Sequence, residues 1–401
     1  MTNHARDQSE SVAMPQSPLP LRPEAETLEA SKIVEVWELG FGRDDLIPLW
    51  VGEGDLPTPD FICEAATRAL KDGKTFYTHK RGLPELRAAI ADYTHRLYGA
   101  RLSDERISVT SAGMNAIQLI MQAIVRSGDE VLALTPVWPN ALAAARVNGA
   151  NVVEVPLRAT AEGDFRLDMD VLEAACGNRT RAMFIASPSN PTGWMLEREE
   201  QQAILELCRR RGIWLIADEV YHRFVYDRPT APSFQELIAP EDPVFVVNSF
   251  SKAWAMTGWR LGWLVHPPSL RPVIDNLIEF NTSGAPPFLQ EGALTAIRDG
   301  ERFVHEMVER CRHGADVVHQ RLAAMPRVTM ACPRASFYAF FAVEGVADSL
   351  GFAKQILRET GVGLAPGAAF GRGGEGFLRL CFASSTERLS AAMDRLEPAL
   401  S

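Results

Sequence analysis

The sequence predicts an α/β fold in which a mainly parallel central sheet is flanked by helices, with a smaller α+β domain beside it. From about residue 104 to 266, short apolar or β-branched runs alternate with longer segments of helical periodicity, as in βαβ units. About the last 100 residues differ, because two helical segments surround short strands near 336–341 and 377–382. With 401 residues, 46% of them hydrophobic, the chain can bury a large core.

The composition argues against several classes of protein. The 41 basic and 51 acidic residues give a formal net charge of -10, which disfavours a nucleic-acid-binding protein. No apolar run approaches the roughly 20 residues needed to span a membrane. The six cysteines are scattered and form no CxxC pair or zinc-type cluster, which predicts reduced thiols, no bound metal and a cytoplasmic location.

The elements follow in a regular order after a polar, proline-rich arm at residues 1–26, which we expect to be flexible. Each apolar run is bounded by Gly, Pro, Asp or Ser and predicts one strand. The predicted strands are 107–110, 130–134, 152–155, 182–186, 213–217, 244–248 and 261–265. Because ligands of an open α/β sheet bind beyond the carboxyl ends of its strands, the residues after each run are the candidates for chemistry.

Lys252 follows the strand at 244–248, in the segment Ser249-Phe250-Ser251-Lys252. An amine at this place would be partly desolvated, and Arg260 could add a nearby positive charge. Both effects lower the pKa of an amine, and a neutral amine can attack a carbonyl to form a Schiff base. The alternative is an ordinary solvated lysine in a loop.

Asp218 ends the apolar run 213–217, and Tyr221 lies three residues further on. A carboxylate at the edge of the sheet could bind a metal, orient a base or hold a proton on a ring nitrogen. It could equally cap a helix. Tyr221 would present a phenol in the same turn.

A helix is predicted at 115–126, with Ser111 as its cap and Gly128 after its end. The free amides at such a helix start attract phosphate, although the segment contains neither a Walker lysine nor GxGxxG. Asn190-Pro191-Thr192-Gly193 follows the strand at 182–186 and predicts a tight turn that presents the Asn190 amide.

Two further side chains could contact a ligand. Trp138 lies between two prolines after a strand and could stack on a planar ligand or pack in the core. Arg379 lies inside an apolar strand, and a buried arginine needs an anionic partner, either a substrate carboxylate or an internal acid.

In the order and spacing of these segments, the chain resembles the fold type I pyridoxal-phosphate enzymes, specifically the class I/II aminotransferases related to aspartate aminotransferase. The resemblance covers roughly residues 30–400. It implies a small-domain and substrate-loop segment at 27–60, a large cofactor-binding domain at 61–299 and a C-terminal small domain at 300–401. The segments that carry it are Ser249-Phe250-Ser251-Lys252, Thr257-Gly258-Trp259-Arg260-Leu261-Gly262, Asn190-Pro191-Thr192-Gly193 and Ala217-Asp218-Glu219-Val220-Tyr221.

The resemblance also implies roles in binding pyridoxal 5'-phosphate. Lys252 would form the internal Schiff base, and Asp218 would keep the pyridine nitrogen protonated. Asn190 and Tyr221 would bind the phenolic oxygen, and Trp138 would stack on the ring. The phosphate would be held by Ser249, Arg260, the backbone at Ala112, Gly113 and Met114, and Tyr77 from the partner subunit of a homodimer.

For the substrate, the resemblance implies that Arg379 binds the α-carboxylate, close to Asn190 and the backbone of Gly52. Ala112 stands where a glycine is common. Met114 stands where some relatives have a lysine that binds a distal carboxylate, and the segment 279–287, expected near the substrate side chain, contains no basic residue. A neutral or aromatic amino acid is therefore the expected substrate.

The implied activity is transfer of an amino group from an L-amino acid to a 2-oxo acid by a ping-pong Schiff-base mechanism. Two alternatives use the same scaffold: a β-elimination carbon-sulfur lyase, and a non-catalytic cofactor-binding effector module. The effector module is disfavoured because the segment before residue 27 is too short for a winged helix and contains no basic recognition helix.

Overall fold

The computed structural model describes residues 19–401. Helices α1–α13 are Pro23–Glu26, Lys32–Gly40, Asp60–Lys71, Pro84–Tyr98, Gly113–Ile124, Pro139–Val147, Met169–Ala175, Arg198–Arg211, Arg271–Asn281, Pro287–Asp299, Glu301–Leu322, Ser349–Thr360 and Thr386–Leu400. Strands β1–β15 are Ile47–Pro48, Ile107–Thr110, Glu130–Thr135, Asn151–Pro156, Arg158–Ala159, Phe165–Arg166, Thr180–Ala186, Trp214–Asp218, Val244–Ser249, Gly262–Val265, Val328–Thr329, Tyr338–Val343, Val362–Gly363, Ala365–Pro366 and Phe377–Cys381.

The seven strands predicted for the first part of the chain form one sheet, in the order β2-β10-β9-β8-β7-β3-β4. Six of them are parallel, and β10 pairs antiparallel with both β9 and β2. Alternate residues of β9 belong to different apolar clusters, with Val244 and Val246 in one, and Phe245 and Val247 in the other. The sheet is therefore covered on both faces, which explains why its strands are continuous apolar runs.

A second sheet of four strands, in the order β11-β12-β15-β14, lies in the C-terminal part of the chain. Three long helices accompany it, α11, α12 and α13, where the sequence predicts two helical segments. Near the N-terminus, β1 pairs in parallel with β13, with Ile47 opposite Val362. The segment that carries β1 thus packs on the C-terminal part of the chain.

The predicted arm lies partly outside the described residues, which begin at Leu19. Within the remainder, α1 forms one helical turn with a proline at its start. Arg22 Nη2 donates a hydrogen bond to the carbonyl of Val147, 2.6 Å away at the end of α6. No helix in the part of the chain from residue 19 onwards is long and apolar enough to cross a membrane.

Candidate active site

A cavity of about 640 Å³ opens beyond the carboxyl ends of the parallel strands. Loops after β2, β7, β8 and β9 form its floor, and segments around residues 31–53 and β12–β15 close its other side. The structure brings most of the predicted site residues together there. They are Gly52, Gly113, Met114, Trp138, Asn190, Asp218, Tyr221, Ser249, Lys252, Arg260 and Arg379.

Lys252 lies in the turn after β9 and extends across the cavity. Its Nζ donates a hydrogen bond to the carbonyl oxygen of Gly52, 2.5 Å away. Burial lowers the pKa of Lys252 to about 8, and the charges of Arg379 and Arg260 lower it as well. About a tenth of the amine is therefore neutral at pH 7, far more than for an ordinary lysine, and this form can act as a nucleophile or base.

Asp218 is the last residue of β8, and its side chain is buried. The amide of Val220 donates to Oδ1 over 3.2 Å, and no helix follows, so the helix-cap alternative is wrong. Burial raises the pKa of Asp218 to about 6. No cluster of three or more His, Cys, Asp or Glu side chains suited to a metal occurs between residues 19 and 401.

Arg379 lies in the middle of β15 and is 2% exposed. Its Nη1 donates to Asn190 Oδ1 over 2.9 Å, and its Nη2 donates to the carbonyl of Trp50. Nε is buried without a hydrogen-bond partner in the described chain. Because the partners are an amide and a carbonyl, the internal ion pair considered from the sequence is wrong. Within residues 19–401, the guanidinium has no acidic partner, so an anionic ligand could pair with its positive charge.

The start of α5 differs from the sequence-based expectation. The helix begins at Gly113 and ends at Ile124, about two residues earlier than predicted at each end, and its N-cap is Ala112 rather than Ser111. The Ser111 amide instead donates to the side chain of Asn115, 3.3 Å away. Ala112 has φ 101°, a conformation that favours glycine, and gives the helix no side-chain cap. The first amides of α5 therefore remain available to a ligand.

Two more donors lie beside this helix start. Ser249 Oγ is 2.9 Å from Ser251 Oγ, and Arg260 also lines the cavity. Arg260 has a left-handed backbone with φ 53°, a strain that concentrates at ligand sites. A Cβ on Gly262 would lie 2.7 Å from the amide nitrogen of Gly113, so a glycine is needed for this close approach. Together these groups form a cradle for a small anion.

Trp138, Ala112 and Tyr77 differ from one another in their relation to the cavity. Trp138 is partly buried, lines the cavity and packs against an apolar cluster, so its packing role is confirmed and its stacking on a planar ligand stays a prediction. Ala112 is buried behind the cavity wall. Tyr77 is 92% exposed and does not line the cavity of its own chain.

Sequence reasoning missed several residues of the cavity wall. Tyr338, at the start of β12, lies with its Oη 2.6 Å from the Oη of Tyr221. Ile33, Val34 and Trp37 of α2 form an apolar wall. These residues carry no motif, and only the tertiary fold brings them to the carboxyl ends of the strands.

Comparisons with known proteins agree with this geometry. The family described as "Aminotransferase class I and II" matches residues 44–396. An "Aspartate aminotransferase" of Pyrococcus horikoshii is 35% identical over 93% of this chain and 95% of its own length. A "Probable aspartate/prephenate aminotransferase" of Aquifex aeolicus is 37% identical over 89% of this chain and 91% of its own. The crystal structure of an aromatic aminotransferase from Pyrococcus horikoshii superposes with a TM-score of 0.84 at 34% identity, covering 92% of this chain and 98% of that one.

Proposed function

Because the chain belongs to the class I and II aminotransferases, and so transfers amino groups between amino acids and 2-oxo acids with pyridoxal 5'-phosphate, we propose that Lys252, Asp218 and Arg379 form its catalytic centre. The family, the fold class, the activity and the cofactor expected from the resemblance are confirmed by these comparisons. The single observation that carries the residue assignment is the convergence of a desolvated lysine, a buried carboxylate and a buried arginine on one cavity.

The residues present fit the cofactor. The uncapped start of α5, with Ser249 and Arg260 beside it, is suited to the phosphate. Asp218 has one hydrogen-bond donor, the Val220 amide, and faces the cavity, as a partner of a protonated ring nitrogen should. Bound pyridoxal 5'-phosphate supplies an aldehyde that condenses with amines and a ring that withdraws electrons from the substrate α-carbon.

The chain's own residues supply binding, orientation and proton transfer. Lys252 Nζ would hold the cofactor before substrate arrives. Afterwards it would take the proton from the substrate α-carbon as a base and, as an acid, deliver it to the cofactor carbon that carried the aldehyde. The Asp218 carboxylate keeps a proton on the ring nitrogen, because the charge pair is strong in this buried setting. Tyr221 and Asn190 would bind the phenolic oxygen, and Trp138 would pack on the ring.

Substrate and phosphate are held by separate positive charges. Arg379 binds the α-carboxylate through its guanidinium, with Asn190 and the backbone of Gly52 beside it. Ser249, Arg260 and the backbone amides of Gly113 and Met114 bind the phosphate, whereas the buried Ala112, expected to bind it as well, does not line the cavity. Separate sites for the two anions fix the orientation of the substrate α-carbon relative to Lys252.

We also propose that residues 61–299 form the cofactor domain, and that 27–60 and 300–401 form the small domain; the pairing of β1 with β13 supports this division. The cavity lies between segments of both. All six cysteines are unpaired, which supports a cytoplasmic location.

A homodimer is proposed because Tyr77 lies outside the cavity of its own chain. Phe76, Tyr77 and Phe280 are 81%, 92% and 82% exposed, an unusual exposure for large aromatic side chains.

We expect sedimentation to give twice the chain mass of 44.2 kDa. We expect Tyr77→Phe to weaken cofactor affinity about 10-fold, the effect of losing one hydrogen bond to a charged group. The shared site would be contradicted if the protein were a monomer and the Tyr77→Phe variant bound the cofactor as tightly as the parent.

The cavity favours a neutral substrate side chain. Its positively charged residues are Lys252, Arg260 and Arg379, and each already has a role. No residue of the segment 279–287 lines the cavity within one chain. The wall formed by α2 and Met114 is apolar instead. A distal carboxylate would therefore lack a partner, whereas an apolar or aromatic side chain would be desolvated favourably.

A panel of amino donors tests both the reaction and its substrate. The holoenzyme is mixed with one donor at a time. We expect phenylalanine, tyrosine or leucine to bleach the visible cofactor band about 10- to 100-fold faster than aspartate, because the distal carboxylate of aspartate would be left unpaired. A 2-oxo acid acceptor should restore the band. An S-alkylcysteine, whose β-sulfur can leave as a thiol, extends the panel to the lyase. Pyruvate, ammonia and a thiol formed from it without bleaching would instead support the lyase, and binding without turnover would support the effector module.

Met114 supplies a matched pair of variants for the same panel. Met114→Lys should raise the rate with aspartate about 10-fold, because it adds a charged partner at the apolar wall. Met114→Leu keeps the size of the side chain and adds no charge, so the preference for apolar or aromatic donors over aspartate should be the same as in the parent. A parent enzyme that prefers aspartate would overturn the proposed substrate class.

A further inference from the structure

Tyr338 contacts the candidate catalytic centre, although nothing in its sequence context marks it. It is the first residue of β12 and is fully buried. Its Oη lies 2.6 Å from the Oη of Tyr221, and their rings meet edge to face with centroids 5.6 Å apart. Within residues 19–401, the Tyr338 hydroxyl has one hydrogen-bond partner, the hydroxyl of Tyr221. This bond joins β12 of the C-terminal sheet to the turn after β8.

The ring of Tyr338 contacts a second functional group. The Arg379 guanidinium carbon lies 4.6 Å from the ring centroid of Tyr338, and 5.0 Å from that of Phe370. A planar cation gains both electrostatic attraction and orientation from such aromatic contacts. The contacts therefore fix the plane of the Arg379 guanidinium, whose Nε has no hydrogen-bond partner within residues 19–401.

The hydroxyl of Tyr338 also lies close to the backbone that binds Lys252. A Cβ placed on Gly52 would be 2.1 Å from this hydroxyl, so only glycine fits there. The carbonyl of the same Gly52 accepts the hydrogen bond from Lys252 Nζ. Tyr338 thus contacts Tyr221, Arg379 and Gly52.

We propose that Tyr338 is a positioning residue with two separable parts: its hydroxyl orients and strengthens Tyr221 as a donor to the cofactor's phenolic oxygen, and its ring aligns Arg379 with the substrate carboxylate. The inference rests on the proposed function of this site. When Tyr338 donates its proton to Tyr221 Oη, the proton of Tyr221 is directed elsewhere, towards the cavity. A phenol that accepts one hydrogen bond is a stronger donor of the next.

Both phenols remain protonated under working conditions, because burial raises the pKa of Tyr221 and of Tyr338 above the ordinary value. Each hydroxyl therefore has one proton to donate. If Tyr338 donates its proton to Tyr221, the proton of Tyr221 is left to donate to the cofactor. Since Asn190 is bonded to Arg379, a second route links the carboxylate site to the phenolic-oxygen site. Tyr338 contacts Arg379, the main group of the carboxylate site, and Tyr221, the main group of the phenolic-oxygen site.

Two variants separate the two parts. Tyr338→Phe removes the hydroxyl and keeps the ring, and Tyr338→Leu removes both. The readouts are the pH midpoint of the visible absorption band of the holoenzyme, and the KM for the amino donor compared with kcat. For Tyr338→Phe we expect the midpoint to rise by about 0.5 to 1 pH unit, because a weaker donor stabilises the deprotonated phenolic oxygen less. Its KM should stay within about twofold of the parent.

For Tyr338→Leu we expect the same rise in midpoint and, in addition, a KM raised about 10-fold, because Arg379 loses an aromatic contact. Tyr226→Phe is the matched control. Tyr226 is another enclosed tyrosine, whose hydroxyl donates to the carbonyl of Ser336 outside the cavity, so its loss should change neither readout. Thermal unfolding of each variant measures any general loss of stability.

The outcomes distinguish this inference from the proposed function. If Tyr221→Phe raises the midpoint and Tyr338→Phe does not, the inference about Tyr338 fails and the proposed function stands. If neither Tyr221→Phe nor Tyr338→Phe changes the midpoint, the role proposed for Tyr221 fails as well. Variants of Tyr338 that alter only the unfolding temperature would show a purely structural residue and overturn the inference.

Discussion

We expect the replacement of Lys252 with alanine to lower transamination by about 10⁴-fold, because one side chain supplies both the covalent attachment and the proton transfer. The fold should survive, since the lysine spans a cavity and its Nζ forms one hydrogen bond within residues 19–401, to the carbonyl of Gly52. The measurement is single-turnover bleaching of the cofactor band by the best amino donor. Cofactor binding without the parent's visible band is expected in the same variant.

Lys71→Ala is the control for this experiment. Lys71 is exposed at the end of α3 and lies outside the cavity, so its removal should leave the rate unchanged. A Lys252→Ala enzyme that retains more than a few per cent of the parent rate would show that another group moves the proton.

Asp218→Asn is expected to lower turnover by about 10²- to 10³-fold, the usual effect of removing one electrostatic stabiliser of a transition state. The amide has nearly the same shape but cannot hold a proton on the ring nitrogen. The apoenzyme should be at least as stable as the parent at pH 7. Burial raises the pKa of Asp218 to about 6, so the folded apoenzyme loses stability as the pH rises towards that value, and the amide avoids the buried charge.

Glu219 provides the matched control, because it is the next residue and its carboxylate is equally buried. It accepts hydrogen bonds from Ser233, from the backbone of Phe234 and from Gln235, and it does not line the cavity. Glu219→Gln should lower thermal stability and keep most of the turnover. If the two variants lost activity equally, Asp218 would have no special role at the ring nitrogen.

The sequence predicted the central sheet well because its physics is local. Strands such as β8 and β9 are buried on both faces, so each is a continuous apolar run with a polar residue directly after it. Asp218, Asn190 and Lys252 could be found for the same reason: each lies at the carboxyl end of one such run, and the strand order brings those ends together.

Other features depend on contacts between distant parts of the chain. The bond between Tyr221 and Tyr338 joins residues 117 positions apart, and no local pattern marks it. Whether Arg379 has an internal acid also depends on the whole fold. The early start of α5 follows from the positive φ of Ala112, a conformation that propensity rules assign to glycine.

The wall formed by α2 shows a third kind of limit. A single amphipathic helix can be recognised from its periodicity, but the neighbour of each face cannot. Ile33 and Trp37 line the cavity because α2 packs against α12 and β14 of the C-terminal part of the chain, and because β1 pairs with β13.

Reduction of the holoenzyme with borohydride, followed by peptide mapping, tests the central claim most directly. The chain has six lysines, and Lys252 alone among them lines the cavity; the other five are Lys32, Lys71, Lys74, Lys80 and Lys354. We expect the reduced cofactor to be attached to Lys252 and absent from the rest. Stoichiometric attachment to any other lysine would contradict the assignment of Lys252 and the mechanism built on it.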